Sequence, residues 1–194
     1  DLEIFDKQLA IENFDLNNVL PNPAIFDTKK LLWMNGQYIR DIKGDQFKKL
    51  FIESIQDFIS RELFEQEINR LEKIENAVQE RLETMNDISE QVKFLLDEPF
   101  EVNLKDWESV NTNEGQEYMI NVRNKFISTK SFELNEIEEI MRTELEKLDI
   151  KPKIGFQITR VAITGTKISP PLFESIYALG KETTIARMAE SIEE

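Results

Sequence analysis

The residues best suited to chemistry in this sequence are cations gathered near its C-terminal end. Between Ile150 and Lys181 there are five basic residues and one acidic residue, Glu174. The whole chain of 194 residues carries 24 basic and 38 acidic residues, a formal net charge of −14. A basic island in so acidic a chain predicts a local anion-binding surface, because charges are screened over roughly 8–10 Å at physiological salt. The acidic remainder argues against indiscriminate binding to polyanions, and we expect no DNA partner.

Two missing residue types exclude several kinds of catalytic site. The chain has no cysteine and no histidine. This excludes disulfides, cysteine nucleophiles, Ser-His triads and the usual zinc sites. Paired carboxylates are uninformative here, because 38 acidic residues place a candidate pair in nearly every stretch. We therefore predict no catalytic residue, metal site or cofactor within this chain.

Helical periodicity dominates the elements that must position the basic island. Apolar residues recur at spacings of three and four over residues 45–60, where Asp45 is expected to cap the helix, and over residues 64–85. The second stretch also fits a coiled coil, but a bundle helix fits it better because the pattern ends after roughly three heptads. A further amphipathic stretch lies near residue 140.

One segment is ambiguous between helix and strand. Residues 153–164 alternate as a strand does, yet Ile154, Ile158 and Val161 also fit helical spacing. No other stretch offers a clear partner strand, which favours a helix. The chain therefore reads as all-α, with two helical subdomains that meet between residues 95 and 115. Prolines fall at the breaks between elements, among them Pro21, Pro23 and Pro99.

Neither a membrane span nor a signal peptide is visible. No apolar stretch approaches the length that crosses a bilayer. The first residues, DLEIFDKQLA, contain no initiator Met, charged n-region or apolar h-region. These residues resemble an internal segment of a longer chain. We expect no membrane partner.

Two motifs carry a family resemblance. The stretch NPAIFDTKKLLWMNGQYIR at 22–40 follows the pattern F-D-x-x-K-L-x-W-x-N-x-x-Y-[IL], and RVAITGTKISPPLFESIYALGKE at 160–182 follows R-x-A-[IL]-T-G…[ST]-P-x-L-F-E…L-G-[KR]-E. Together they resemble bacterial-type glutamyl-tRNA synthetase. ERLETMNDISEQVKFLL, at 80–96, is similar to a weaker segment of that family.

The resemblance implies the tRNA-binding part of a ligase. Residues 1–45 would be the end of a stem-contact region, and residues 46–110 and 111–194 two helical subdomains of an anticodon-binding cage. An upstream catalytic domain of the same polypeptide would use ATP and Mg²⁺ to join glutamate to a glutamate-accepting tRNA in the cytoplasm. The activation motifs are absent here: KIS at 167–169 is followed by Pro170 instead of lysine, and TGTK at 164–167 lacks a second flanking glycine.

The resemblance also assigns anticodon-reading residues. Positions matching Arg160, Ser169 and Leu172 handle the middle anticodon base, and the position matching Arg81 reads the third. Each has a structural alternative: a salt bridge from Arg160 to Glu174, a core role for Leu172, and an exposed helical arginine at residue 81. Ser169 is also expected to cap a helix that ends at Gly180.

A second basic island lies within residues 26–49, with six basic and three acidic residues. Cations of the two islands are candidates for contacts with the tRNA backbone: Lys29, Lys30, Arg40, Lys43, Lys153 and Lys167. Trp33 and Tyr38 could stack on RNA, although the apolar neighbours of Trp33 favour a core position. The alternative function, from a different class, is an acidic helical protein-interaction module without catalysis.

Overall fold

The computed structural model describes residues 3–19, 25–96 and 100–193. These ranges contain helices and no strand, which confirms the all-α prediction. The helices, in chain order, are α1 Lys7–Asn13, α2 Thr28–Asp41, α3 Gly44–Gln56, α4 Arg61–Gln79, α5 Ile88–Leu96, α6 Leu104–Val110, α7 Asn113–Ser128, α8 Leu134–Leu148, α9 Pro152–Thr164, α10 Leu172–Leu179 and α11 Lys181–Glu193. Two 3₁₀ turns lie at Leu16–Asn18 and Met85–Asp87. The breaks expected at Pro21, Pro23 and Pro99 lie outside the described residues.

Side-chain caps fix where several helices begin. Asp27 accepts from the backbone N–H of Lys30 at the start of α2, at 3.0 Å, and Ser60 caps α4 in the same way. The expected cap at Asp45 is wrong: α3 begins at Gly44, and Asp45 lies inside its first turn. A carboxylate in the first turn still interacts favourably with the positive end of the helix dipole.

The ambiguous segment is a helix, as the lack of a clear partner strand favoured. Pro152 occupies the first position of α9, where a missing N–H costs nothing. Ile158, Val161 and Ile163 are fully buried within the fold, so the helix meets core on more than one side. This double burial explains why the apolar pattern resembled both a strand and a helix.

A continuous apolar core joins the helices from Ile39 to Met188. α4 packs against α3, α5 and α10, while α7 packs against α8, α9 and α11. The contact between α4 and α10 therefore joins the two expected subdomains through shared core residues. Their boundaries, at residues 45/46 and 110/111, stay predictions.

The N-terminal segment rests on α2 outside this core. None of the residues of α1 is buried. Lys30 pairs with Glu3 at 2.6 Å, and the Tyr38 hydroxyl donates to the carbonyl of Phe5 at 2.6 Å. Within the described ranges, no helix is both long and apolar enough to cross a membrane.

Candidate nucleic-acid interface

Arg160 is anchored at the end of α9 through one nitrogen of its guanidinium. Nη1 donates to the Ser169 hydroxyl at 2.5 Å, to the Pro170 carbonyl at 2.6 Å and more weakly to the Ser169 carbonyl at 3.4 Å. Among the described residues, Nη2 and Nε have no hydrogen-bond partner and no carboxylate lies within 4 Å, so Glu174 is not the ion-pair partner that the sequence suggested. The anchor fixes the guanidinium and leaves one edge available to a ligand.

Burial and neighbouring charges act on the same guanidinium. Burial lowers the pKa of Arg160, the positive charge of Arg81 lowers it further, and Glu174 opposes both. An arginine remains protonated in proteins despite such shifts. The effect of Arg81 places the two arginines within electrostatic range of each other, although they are 79 positions apart in the sequence. Two neighbouring cations favour an anionic or hydrogen-bond-accepting ligand.

The loop that carries Ser169 is held by the start of α6. The Asp106 carboxylate accepts from the backbone N–H of Lys167 at 3.0 Å, and the Asn103 N–H donates to the Gly165 carbonyl at 2.9 Å. Gly165 has φ of 80°, and a Cβ at this position would lie 2.5 Å from the Glu101 carbonyl oxygen. Only glycine combines this backbone angle with so close an approach.

A cleft of about 580 Å³ opens between this loop, the C-terminal half of α5 and the start of α6. Buried Arg187 of α11 ties its walls together, because its Nη1 donates to the carbonyls of Phe94 and Ile163 at 2.9 and 2.6 Å. The same guanidinium lies 3.6 Å from the centroid of the Phe100 ring. Phe94, Phe100 and Ser169 all line the cleft, which combines apolar rings with polar loop atoms.

Arg81 is exposed on the turn after α4 and is not part of the helix. Its side chain has no hydrogen bond or ion pair to any residue in the described part of the chain, so neither Glu80 nor Glu83 pairs with it. The Asp87 carboxylate holds this turn from the other side by accepting from the backbone N–H groups of Glu83 and Thr84 at 3.0 and 2.7 Å.

The helix α2 braces the turn from behind. Asn35 donates to the Glu83 carbonyl at 2.6 Å, and Arg40 donates to the carbonyls of Glu80 and Leu82 at 3.3 and 3.5 Å. Gly36 permits this approach, since a Cβ there would lie 2.8 Å from the Leu82 carbonyl oxygen. Arg40 is therefore half-buried and engaged with protein, which leaves little of it for a phosphate.

The other residues predicted to contact the tRNA backbone differ in whether they already form an ion pair within the protein. Lys30 pairs with Glu3, and Lys167 lies 3.9 Å from Asp106. The remaining three are exposed and form no ion pair within the described ranges: Lys29, Lys43 and Lys153.

Two sequence expectations about single residues are wrong. Ser169 does not cap α10, because Pro171 is the residue that precedes the helix and the Ser169 hydroxyl instead donates to the Pro170 carbonyl at 2.9 Å. Trp33 is not in the core, since it is 43% exposed. Leu172 is only 5% exposed, as expected if it is a core residue. The helix α10 ends before Gly180, as expected.

Sequence reasoning missed three residues that shape this surface. Asp106 holds the loop, Phe100 stacks on Arg187, and Ile168 is 81% exposed at the edge of the cleft. Of these three residues, only Ile168 could have been noticed in the sequence, because an apolar residue within the polar stretch TGTKISP is unusual for a solvated turn. In the described ranges, no group of three or more acidic residues is arranged to hold a metal ion.

Comparison with known proteins relates this chain to glutamate–tRNA ligases. The chain is 32% identical over its whole length to the glutamate–tRNA ligase of Corynebacterium jeikeium, and 33% identical over 96% of its length to that of Symbiobacterium thermophilum. It spans 40% and 39% of these two relatives. A crystal structure of a glutamate tRNA ligase from Elizabethkingia meningosepticum shares its fold, with a TM-score of 0.72, 24% identity, and coverage of 94% of this chain and 36% of the other.

The family assignment follows from the length of one match. The family model described as an anticodon binding domain matches residues 50–192, which include Arg81, Arg160, Ser169 and Leu172. The resemblance to glutamyl-tRNA synthetases that the two sequence motifs predicted is thereby confirmed. The chain belongs to the anticodon binding domain family and is similar, from end to end, to part of the glutamate–tRNA ligases.

Proposed function

We propose that this chain is the part of a glutamate–tRNA ligase that binds tRNA and reads its anticodon. The observation that carries the proposal is the anchoring of Arg160 through Nη1 by Ser169 and Pro170, which leaves Nη2 and Nε without a partner in the described protein. Exposed Arg81 lies close enough to lower the pKa of this guanidinium. RNA loops are recognised by bases that are splayed out, stacked on apolar or planar groups and hydrogen-bonded at their edges. The two arginines supply edge donors, and the Phe94–Phe100 walls supply apolar surface.

Arg160 reads the middle anticodon base in this proposal. The Nη1 anchor to Ser169 and Pro170 fixes the guanidinium plane before RNA arrives, so little ordering entropy is lost on binding. Ser169 acts as the positioning group. Leu172 contributes by fixing the start of α10 in the core, with only a small exposed edge for a base.

Arg81 reads the third anticodon base from the neighbouring turn. Its guanidinium is exposed, while the backbone below it is held by α2 and by Asp87. An exposed planar donor on a turn whose backbone is held suits a base that must enter before it is bonded. Backbone contacts come chiefly from the exposed lysines, with Lys29, Lys43 and Lys153 better placed than Lys30, Arg40 and Lys167 because the last three already have protein partners.

The remaining steps of the reaction belong to the longer polypeptide. The chain spans about two fifths of the length of its curated relatives. We propose that a catalytic domain upstream binds ATP and Mg²⁺ and attaches glutamate to the tRNA in the cytoplasm. Within this chain, residues 1–45 complete the stem-contact region, and residues 46–110 and 111–194 form the anticodon-binding subdomains.

A salt-dependent titration tests the proposal. The chain is titrated with glutamate-accepting tRNA and with the same tRNA changed at the middle anticodon base, between about 50 and 200 mM salt. With about three to five phosphate contacts, the slope of log affinity against log salt should be roughly −2 to −4, and the unchanged tRNA should bind more tightly at every salt concentration. No binding at low salt would instead favour a protein-interaction module.

A further inference from the structure

A partly exposed face of α9 extends from Arg160 towards the N-terminal end of the helix. Lys153, Phe156 and Arg160 are spaced by three and four residues, so they lie along one side of the helix. The spacing between Phe156 and Arg160 corresponds to about 6 Å along the helix axis. This separation suits neighbouring nucleotides of one RNA loop.

A cluster of rings and one guanidinium lies beside this face. Phe156 packs edge-to-face against Phe173 of α10, with centroids 5.4 Å apart and planes at 86°. Arg142 of α8 places its guanidinium carbon 5.9 Å from the Phe156 centroid and 5.5 Å from the Phe173 centroid. Both rings are half-buried, so three helices present planar groups at one patch of surface.

The charges of the patch remain largely exposed. Arg142 pairs with Glu138, one turn earlier on α8, at 2.7 Å, and its side chain is still 54% exposed. An exposed ion pair of this kind contributes little to stability, at most about 1 kcal/mol. Lys153 is exposed without an ion pair in the described chain, while Glu174 is half-buried beside Arg160. The cations at this surface are therefore available to a partner at small cost.

We propose that Arg142, Phe156 and Phe173 form a second nucleotide site, which stacks one unpaired base of the RNA loop outside the anticodon triplet. This inference rests on the proposed tRNA-binding function and extends it. The Arg142 guanidinium offers its plane to the base and the two rings offer apolar edges, as in surfaces that bind single-stranded RNA. Lys153 contacts the phosphate of the same nucleotide.

The test uses stem-loop RNAs that carry the anticodon arm of a glutamate-accepting tRNA. Each loop position is replaced in turn by an abasic nucleotide, and dissociation constants are measured with the 194-residue chain. One position outside the triplet should weaken binding by roughly 5- to 100-fold when its base is removed. In Arg142→Gln, removal of that base should cost less than about twofold, because the plane that stacked it is gone.

The matched control is Arg61→Gln. Arg61 also pairs with a glutamate one turn away, Glu65, at 2.8 Å, but it stacks on no ring in the described chain. The control should retain the full loss at the abasic position. Phe156→Leu is a second variant that keeps apolar packing, and it should show the same reduced sensitivity as Arg142→Gln while remaining folded by circular dichroism.

The outcomes separate the inference from the function on which it rests. If the stem-loop binds and Arg160 senses the middle base, but no position outside the triplet couples to Arg142, the second site does not exist. Coupling of Arg142 only to an anticodon base also overturns it. If the stem-loop does not bind at all, the proposed function itself fails.

Discussion

Arg160→Lys separates the two roles that the structure gives to this side chain. Nη1 anchors the loop at Ser169 and Pro170, while Nη2 and Nε have no partner among the described residues. A lysine ammonium can supply the donors that Nη1 supplies, since it has three N–H bonds and keeps the charge. It has no second planar edge, so it cannot donate a bidentate pair to a base.

The expected magnitudes follow from these bonds. Loss of a bidentate contact costs about 1–3 kcal/mol of base discrimination, which corresponds to roughly 5- to 150-fold in affinity. Loss of the anchor, as in Arg160→Ala, removes hydrogen bonds from a charged donor worth about 1.5–3 kcal/mol. For a chain of this size that is a fall in melting temperature of roughly 3–12 °C. The Ser169 hydroxyl still donates to the Pro170 carbonyl in the alanine variant, so no buried donor is orphaned.

Thermal unfolding and two titrations on one preparation decide between the roles. Arg160→Lys should melt within about 3 °C of the wild type and should bind two tRNAs that differ only at the middle anticodon base with affinities within about threefold. Arg160→Ala should lose both stability and discrimination. If Arg160→Lys retains the wild-type preference between the two tRNAs, the free edge of the guanidinium does not read that base and the reasoning is refuted.

Two further predictions use other residues of the same surface, and a third concerns Glu75, a buried carboxyl group of α4. Arg81→Gln should narrow the affinity gap between tRNAs that differ at the third anticodon base by roughly tenfold, because an amide mimics the guanidinium only in part; equal weakening of both tRNAs would make Arg81 a phosphate contact. Asp106→Asn keeps an acceptor for the Lys167 N–H but removes a negative charge, so tRNA binding should tighten about two- to threefold with a steeper salt slope, and weaker binding would contradict this. Glu75 is 7% exposed, and burial raises the pKa of its carboxyl above the ordinary value of 4.5. Between the ordinary and the raised pKa the folded state binds more protons than the unfolded state, so the free energy of unfolding falls as the pH rises through this range. Glu75→Gln should therefore raise the melting temperature at pH 7 more than at pH 4.5, and an equal change at both pH values would contradict this dependence of stability on protonation.

Helix positions were largely readable from the sequence because they depend on local patterns. The apolar spacing of α4 and α10 was enough to locate both helices, and Pro171 and Gly180 mark the ends of α10. The apolar pattern of α4 continued to residue 85, whereas the helix ends at Gln79. Residues 153–164 were harder, because α9 is buried on several sides and its apolar residues no longer mark a single face. The cap at Asp45 failed since Gly44 already adopts the first helical position, a choice that the residue types alone do not reveal.

The partners of individual side chains were less predictable, because they depend on contacts between distant segments. Glu174 was the partner that the sequence suggested for Arg160, yet the actual partners are a hydroxyl and a carbonyl in the loop before α10. Arg40 looked like one more cation of a basic island, but it braces the turn that follows α4. Such choices require the relative positions of helices, which neither spacing nor composition contains.

Under the proposed function, the geometry also explains how so acidic a chain selects one RNA. A strong positive field would bind every polyanion alike, since phosphate contacts carry no sequence information. Here several cations of the basic islands already pair with acidic side chains of the protein, among them Lys30 and Lys167. This pairing weakens binding to phosphates that does not depend on RNA sequence. Ser169 and Pro170 instead hold the Arg160 guanidinium through Nη1, and α2 and Asp87 hold the backbone turn that carries Arg81. Arg81 follows α4, and the loop that anchors Arg160 precedes α10. Because α4 and α10 share one core, a change in the packing of either helix should alter the separation of the two arginines. Under the proposed function, selectivity depends on where these two arginines place their donors, which a uniform charge could not supply.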